Sequence, residues 1–201
     1  MNVISNILYW ISTGLLVPVI VLLIFFFIRA LILIGAFFGQ YLGQKKTDGA
    51  LNDKIKNLTP ATLPAFASSL PEKSSSVMGA YVRKIIVEGA DESKAELLLG
   101  EYELDADKNV ATSKVLTKMG PILGLMGTLI PMGPALVGLA SGDIASMAYN
   151  MQVAFATTVV GLVVSAIGFL TQQVKERWAI KNLTMLEYLA DVVKLSNRQA
   201  A

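Results

Sequence analysis

Between Met119 and Gln173 the chain carries one charged side chain, Asp143, and it falls in a short polar stretch, Ser141-Gly142-Asp143, with an uncharged arm on either side. Each arm holds about the 20 uncharged residues that a helix needs to cross the hydrocarbon of a bilayer. Lipid offers no partner to an unpaired backbone group, so two such arms joined by a turn fold as a membrane-spanning helical hairpin. Spans are expected at 119–140 and 148–171.

The small and hydroxyl residues of the arms are not scattered. On the first, Gly120, Gly124, Thr128, Pro131, Ala135 and Gly138 follow steps of four, four, three, four and three, which places them along one helical face. On the second, Thr158, Gly161, Ser165 and Gly168 follow steps of three, four and three. Such a stripe either lets two membrane helices approach closely or lines a passage. Pro131 and Pro134 add weight to the passage, because each frees a carbonyl one turn earlier, at Gly127 and Ile130; such groups are tolerated at membrane depth where protein or a wet cavity satisfies them.

A third apolar run begins near the start. Val3 to Ile28 carry no charge, and the apolar character continues past Arg29 to Phe38. The run is too long, and its beginning too lacking in basic residues, for a cleaved signal peptide. A retained span is expected at 7–28, with Pro18 as a site for a kink, Arg29 snorkelling to the inner interface, and Leu31 to Leu42 continuing as helix near the headgroups. The 54% hydrophobic content agrees with an integral membrane protein. Eleven Lys and Arg lie from Lys45 to Lys118 and five from Lys175 to Arg198, whereas the N-terminus and the 140–150 turn have none. The positive-inside rule then places the N-terminus outside and the long loop and C-terminus in the cytoplasm.

The polar parts read as helices around a modest apolar core. Residues 44–76 contain Pro60, Pro64 and Pro71 and suggest short helical pieces joined by turns. Ser74-Ser75-Ser76 is a plausible start for a helix whose apolar stripe is Val77, Tyr81 and Ile85, with Ile86 beside them. Another helix is expected from Asp91, running unbroken through Leu104 and Val115 into the next span. In the tail, Leu183, Leu186, Leu189, Val193 and Leu195 predict an amphipathic helix that packs on the loop helices or on a neighbouring subunit. The chain is thus expected to be all-α, divided into 1–43 (first span with an interfacial extension), 44–117 (cytoplasmic helical loop), 118–173 (membrane hairpin) and 174–201 (C-terminal helix).

With no Cys and no His, disulfides, thiol catalysis, imidazole acid-base work and Cys/His metal sites are excluded. Glu96, Glu101, Glu103, Asp105 and Asp107 share their loop with eleven Lys and Arg and read as a solvated charged helix, since no spacing matches a ligand motif. Asp143 reads as a helix cap before Ile144. No enzyme activity, cofactor, metal or nucleic-acid partner is expected.

Two short motifs carry a resemblance. Gly124-Leu125-Met126-Gly127-Thr128 is similar to the Gly-Leu-x-Gly-Thr, and Thr158-Val159-Val160-Gly161-Leu162 to the Thr-x-x-Gly-Leu, of the second and third membrane helices of the MotA/TolQ/ExbB proton-channel proteins. The three-span layout resembles the TolQ and ExbB branch. The resemblance implies a homopentameric ring around two single-span partner helices of the ExbD, TolR or MotB type, the partner supplying a protonatable Asp within the bilayer. It further implies an inner-membrane motor in which H+ or Na+ flow moves the partner. Thr128 and Thr158, with Thr157 beside the latter, then become the ion-pathway residues, and Gly124, Pro131, Gly161 and Ser165 the packing residues of the pore face. One departure is Val153, at a position where many TolQ- and ExbB-like chains have Glu. Either the amides of Gln152 and Asn150 replace it or the chain belongs to a divergent branch. The alternative to a channel is a membrane scaffold whose stripes only pack helices.

Overall fold

The computed structural model describes residues 2–70, 76–89 and 91–200. They form α1 (Asn2–Lys56), α2 (Leu63–Ser69), α3 (Val77–Glu88), α4 (Glu92–Ser141) and α5 (Ile144–Ala200), with no strand among the described residues. Three of these helices contain segments long and apolar enough to cross a bilayer, within Ile7–Leu42, Glu92–Ser141 and Ile144–Arg198. The chain is an all-α, multi-pass membrane protein. Its residues gather into two compact units, 1–35 with 112–172 and 36–111 with 173–201.

In the first unit α4 and α5 form the expected hairpin. Gly142 makes the turn at φ +76°, in the left-handed region that glycine enters without penalty. Asp143 caps α5, its carboxylate accepting from the Ser146 amide at 3.0 Å, as expected for a helix start. α1 packs along the hairpin through two clusters. One joins Val19 and Leu23 to Leu123 and Ile130, and the other joins Ala30 and Leu33 to Leu116 and Val164. Arg29 is exposed. The outward faces of all three spans are apolar, with residues such as Ile24, Leu129, Leu136 and Leu170 more than half exposed, the pattern of helices whose solvent is lipid.

The second unit has a conventional apolar core built from all five helices, in which Ile55, Phe66, Met78, Val82, Ile85, Leu98, Leu186 and Leu189 are buried together. Ser76 starts α3, its hydroxyl accepting from the Gly79 amide at 3.0 Å; Ser74, Ser75 and Pro71 lie outside the described residues. The buried stripe of α3 is Met78, Tyr81, Val82 and Ile85, while Val77 is 51% exposed. The buried residues centre between Tyr81 and Val82, and at about 100° per residue Val77 lies roughly 90° from that centre, at the margin of the core face. α4 runs unbroken from Glu92 through its span, as expected. α1 differs from expectation by continuing to Lys56, so 44–56 is helix rather than short pieces. No proline lies between Pro18 and Pro60, so nothing in the backbone stops it sooner. The tail is the end of α5, with Leu186, Leu189 and Val193 in the core and Leu195 half exposed. It packs on the loop helices. Trp178 of α5 stacks on Phe37 of α1, ring centroids 5.7 Å apart.

Two polar features of this unit yield predictions. Asn52 is 2% exposed and its side-chain oxygen accepts no hydrogen bond. A buried acceptor left unpaired costs about 1–3 kcal/mol. Asn52→Leu is therefore expected to raise the melting temperature of the detergent-solubilised chain, read by circular dichroism; a fall would mean that the amide has a partner in the assembled protein.

Tyr81, 6% exposed, donates to Asp105 Oδ2 at 2.8 Å, and Lys108 donates to Asp105 Oδ1 at 3.2 Å. Burial first, then the bond to Asp105, pushes the Tyr81 hydroxyl up to about 12. The Tyr81 hydroxyl first, then Lys108, holds Asp105 below the usual carboxylate range. The Asp105 contribution to stability is thus complete above the unfolded carboxyl value of about 3.9 and is lost as pH falls through its lowered folded value. The Tyr81 contribution is complete below about 10 and is lost as pH rises toward about 12. Tyr81→Phe should lower the melting temperature between these limits and flatten both limbs of its pH dependence, and an unchanged profile would show that the pair contributes nothing.

Candidate functional site: one edge of the membrane hairpin

The two arms meet on their glycines. A Cβ on Gly161 would lie 2.6 Å from Gly120 O and 2.9 Å from Gly124 Cα, and one on Gly120 would lie 2.6 Å from Gly161 O. A Cβ on Gly168 would come as close to the Thr117 amide nitrogen, and one on Gly127 would lie 2.6 Å from the Thr157 side chain. The buried line of α5 is Ala154, Thr157, Gly161, Val164, Gly168 and Thr171, at steps of three and four. On α4 it includes Ser113, Leu116, Gly120, Gly124, Gly127 and Pro131. This backbone-to-backbone contact is what small residues permit between membrane helices.

The neighbours of that line divide the hairpin into two sides. Leu123, Met126 and Ile130 each precede a residue of the line by one position, as do Val160 and Ile167 on α5, and all five pack toward α1. Moving one position the other way turns about 100° in the opposite sense. Thr128 follows Gly127, Thr158 follows Thr157 and Ser165 follows Val164. In antiparallel helices these turns lead to the same side of the pair, and Ser165 Oγ demonstrates it by donating across to Thr117 O at 3.0 Å. The structure thus brings Thr128, Thr158 and Ser165 to one hairpin edge, on the side away from α1. All three are half-buried.

The hydroxyls are oriented by their own helices. Thr128 Oγ1 donates to Leu125 O at 2.7 Å and Thr158 Oγ1 to Ala154 O at 3.2 Å. Thr157 is 6% exposed and donates to the carbonyls of Val153 and Ala154 inside the hairpin. Gly124 and Gly161 are buried between the arms, and Pro131 is buried as well. Asn150 donates to Ser146 O at 2.8 Å. Gln152 lies on the back of α5, in an open apolar groove shared with Met151, Phe155 and Val159. The structure does not bring these two amides together with Thr158.

Two features escape sequence reasoning. Pro121 has no amide proton, so Thr117 O loses its helical donor, and the Ser165 hydroxyl supplies the replacement. The proline logic applied to Pro131 and Pro134 would have found it. Deeper in the same hairpin Thr171 Oγ1 donates to Ser113 Oγ at 3.1 Å, both side chains being buried. No sequence signal links two hydroxyls 58 positions apart. Among the described residues no group of carboxylates is placed to hold a metal ion, and Glu101 pairs with Lys84 at 3.8 Å.

The pair of spans that carries this edge also carries the comparison with known proteins. No curated protein and no solved structure matches the chain. The MotA/TolQ/ExbB proton channel family matches residues 73–187, which covers α3, all of α4, α5 as far as residue 187, and more than half of the chain. The family is one of membrane channel components rather than enzymes. The two glycine-threonine motifs that resemble it, at 124–128 and 158–162, lie inside the matched region, and on that match the chain belongs to the MotA/TolQ/ExbB proton channel family.

Proposed function

We propose that this chain is the channel subunit of a proton-driven membrane motor, a ring of copies surrounding a single-span partner of the ExbD, TolR or MotB type whose movement is coupled to ion flow. The observation that carries the proposal is the hairpin edge: hydroxyls at Thr128 and Thr158, half-buried, facing away from α1 in a hairpin that has no charge within its membrane depth. An ion crossing hydrocarbon needs a titratable carrier or water. This hairpin supplies no carboxylate inside its span, so the carrier belongs to the partner and the edge faces it. α1 then lies on the lipid side of a ring, by family resemblance a pentamer.

Within this proposal the site residues take different parts. Thr128 and Thr158 touch the path. Thr157, buried against Gly127, sets the spacing of the arms from behind, together with Gly124, Pro131 and Gly161, and Ser165 ties the edge to α4. The positive-inside bias supports a cytoplasmic second unit, and the family resemblance supports an inner-membrane location.

The test is co-purification and flux. The chain should run as an oligomer in detergent, retain a short protein with one span and an intramembrane carboxylate, and in vesicles with that partner take up protons. A monomer that retains no partner would instead support a scaffold.

A further inference from the structure

We infer that the Thr128–Thr158 edge presents hydrogen-bond acceptors only, and therefore recognises the protonated, neutral form of a carboxylic acid on the partner helix; this rests on the proposal that the edge faces the ion path. A hydroxyl has one proton and two lone pairs. Thr128 and Thr158 each commit that proton to a carbonyl of their own helix, at 2.7 and 3.2 Å. Ser165, on the same edge, commits its proton to Thr117 O, a carbonyl that Pro121 has left without a helical donor. What remains directed outward from each oxygen is a lone pair.

A carboxylate brought to this edge meets lone pairs, and gains a donor only if a hydroxyl abandons its carbonyl. A carboxylic acid meets the same oxygens with its own O–H and donates at once. The edge thus favours the neutral acid, in the same direction as the low dielectric of the bilayer. Other groups do not reverse this. Between Met119 and Gln173 the titratable side chains are Asp143, at the turn, and Tyr149. On the part of α1 that packs with the hairpin, 2–35, they are Tyr9, whose ring would meet a Cβ on Gly133 at 3.9 Å, and Arg29, and α1 packs on the opposite side of the hairpin.

Two consequences distinguish this from a hydroxyl relay. A proton handed to Thr128 or Thr158 has no onward acceptor that can itself release a proton, because each hydroxyl ends on a backbone carbonyl. The proton therefore travels on the partner's acid, which stays loaded while it faces the edge and releases its proton after moving off. A hard cation is served poorly, since three neutral hydroxyl oxygens per chain, without a fixed charge, fall short of the oxygen shell such ions take.

The experiment uses the chain purified with its single-span partner and reconstituted in vesicles. The partner's carboxyl is titrated by infrared difference spectroscopy, and proton uptake is measured alongside. Thr158→Val removes an acceptor and keeps the shape. The titration midpoint should fall by about half to one pH unit, the size of one net hydrogen bond expressed as a pKa change. Thr158→Ser should restore it, Thr128→Val should move it the same way, and sodium concentration at fixed pH should leave it unchanged. A rise in the midpoint would mean that the hydroxyl donates to a carboxylate, and would overturn the inference while leaving Thr158 on the path. A sodium-dependent midpoint would overturn it in favour of cation coordination. Midpoint and uptake both unchanged in the two valine variants would remove the edge from the path, and with it the functional proposal. Should Thr158→Val fail to assemble, Thr128→Val carries the same readout.

Discussion

Gly161→Ala is expected to open the membrane hairpin. The added methyl would lie 2.6 Å from Gly120 O and 2.9 Å from Gly124 Cα, and both of those atoms are backbone, so no side chain can rotate aside. Overpacking costs about 1–3 kcal/mol where side chains can adjust, and here two helices must separate along their length. The better helix propensity of alanine, about 1 kcal/mol, does not offset that. The expected result is a lower melting temperature and loss of the oligomer on gel filtration, with flux lost as a consequence. Gly14→Ala is the control: nothing lies within 4 Å of its new methyl, so only the propensity gain remains. Similar behaviour of the two variants would show that the glycine contact is not what holds the arms together.

Thr158→Val should leave the fold intact and cut ion-driven activity about tenfold, the effect of roughly 1.4 kcal/mol, within the range of one hydrogen bond. Thr128→Val should act alike and more weakly. The informative contrast is Thr157→Val, adjacent in sequence but buried between the arms, with its hydroxyl already spent on the Val153 and Ala154 carbonyls. That variant should retain most of its flux. Loss at Thr157 equal to that at Thr158 would place both on the path and reassign the buried side of α5. Full activity in Thr128→Val and Thr158→Val together would leave the stripes as packing surfaces alone. Uptake in vesicles, with assembly checked in parallel, separates these outcomes.

Gly124→Leu illustrates why the structure changes what a variant tests. From spacing alone a leucine there should block a passage, while leucine at Val137 should be tolerated. In the structure a Cβ at Gly124 already contacts Gly161 Cα and Thr157 O at 3.4 Å, so a leucine acts on the contact between the arms before it can act on any path.

Much of the architecture was legible because it follows from solvation. One charge between Met119 and Gln173 leaves the backbone of two arms no partner but itself, and that determined a helical hairpin. Ser76 and Asp143 start helices as their hydroxyl and carboxylate predict, and α4 continues from its polar part into its span without a break. Local periodicity also identified most of the apolar stripe of the tail. It misjudged Val77, which lies at the margin of the buried face, and it ended α1 early, because polar residues from Gln44 onward look like a loop when no packing partner is in view.

By itself, then, the sequence determined the three apolar helices that can enter a bilayer, the continuity of α4, and that glycines and hydroxyls share a stripe on each arm. The tertiary structure decided how that stripe divides. Gly120, Gly124, Gly127 and Gly161 lie in the contact, Leu123, Ile130 and Val160 turn toward α1, and Thr128 and Thr158 remain on the far edge. The physical reason is that residues one position apart on a helix differ by about 100°, so a stripe of steps three and four spans both a packing line and its margin. Which side of that margin meets α1 depends on contacts between Val19, Leu23, Ala30 or Leu33 and residues more than 80 positions away, and no local pattern encodes a pairing over that distance.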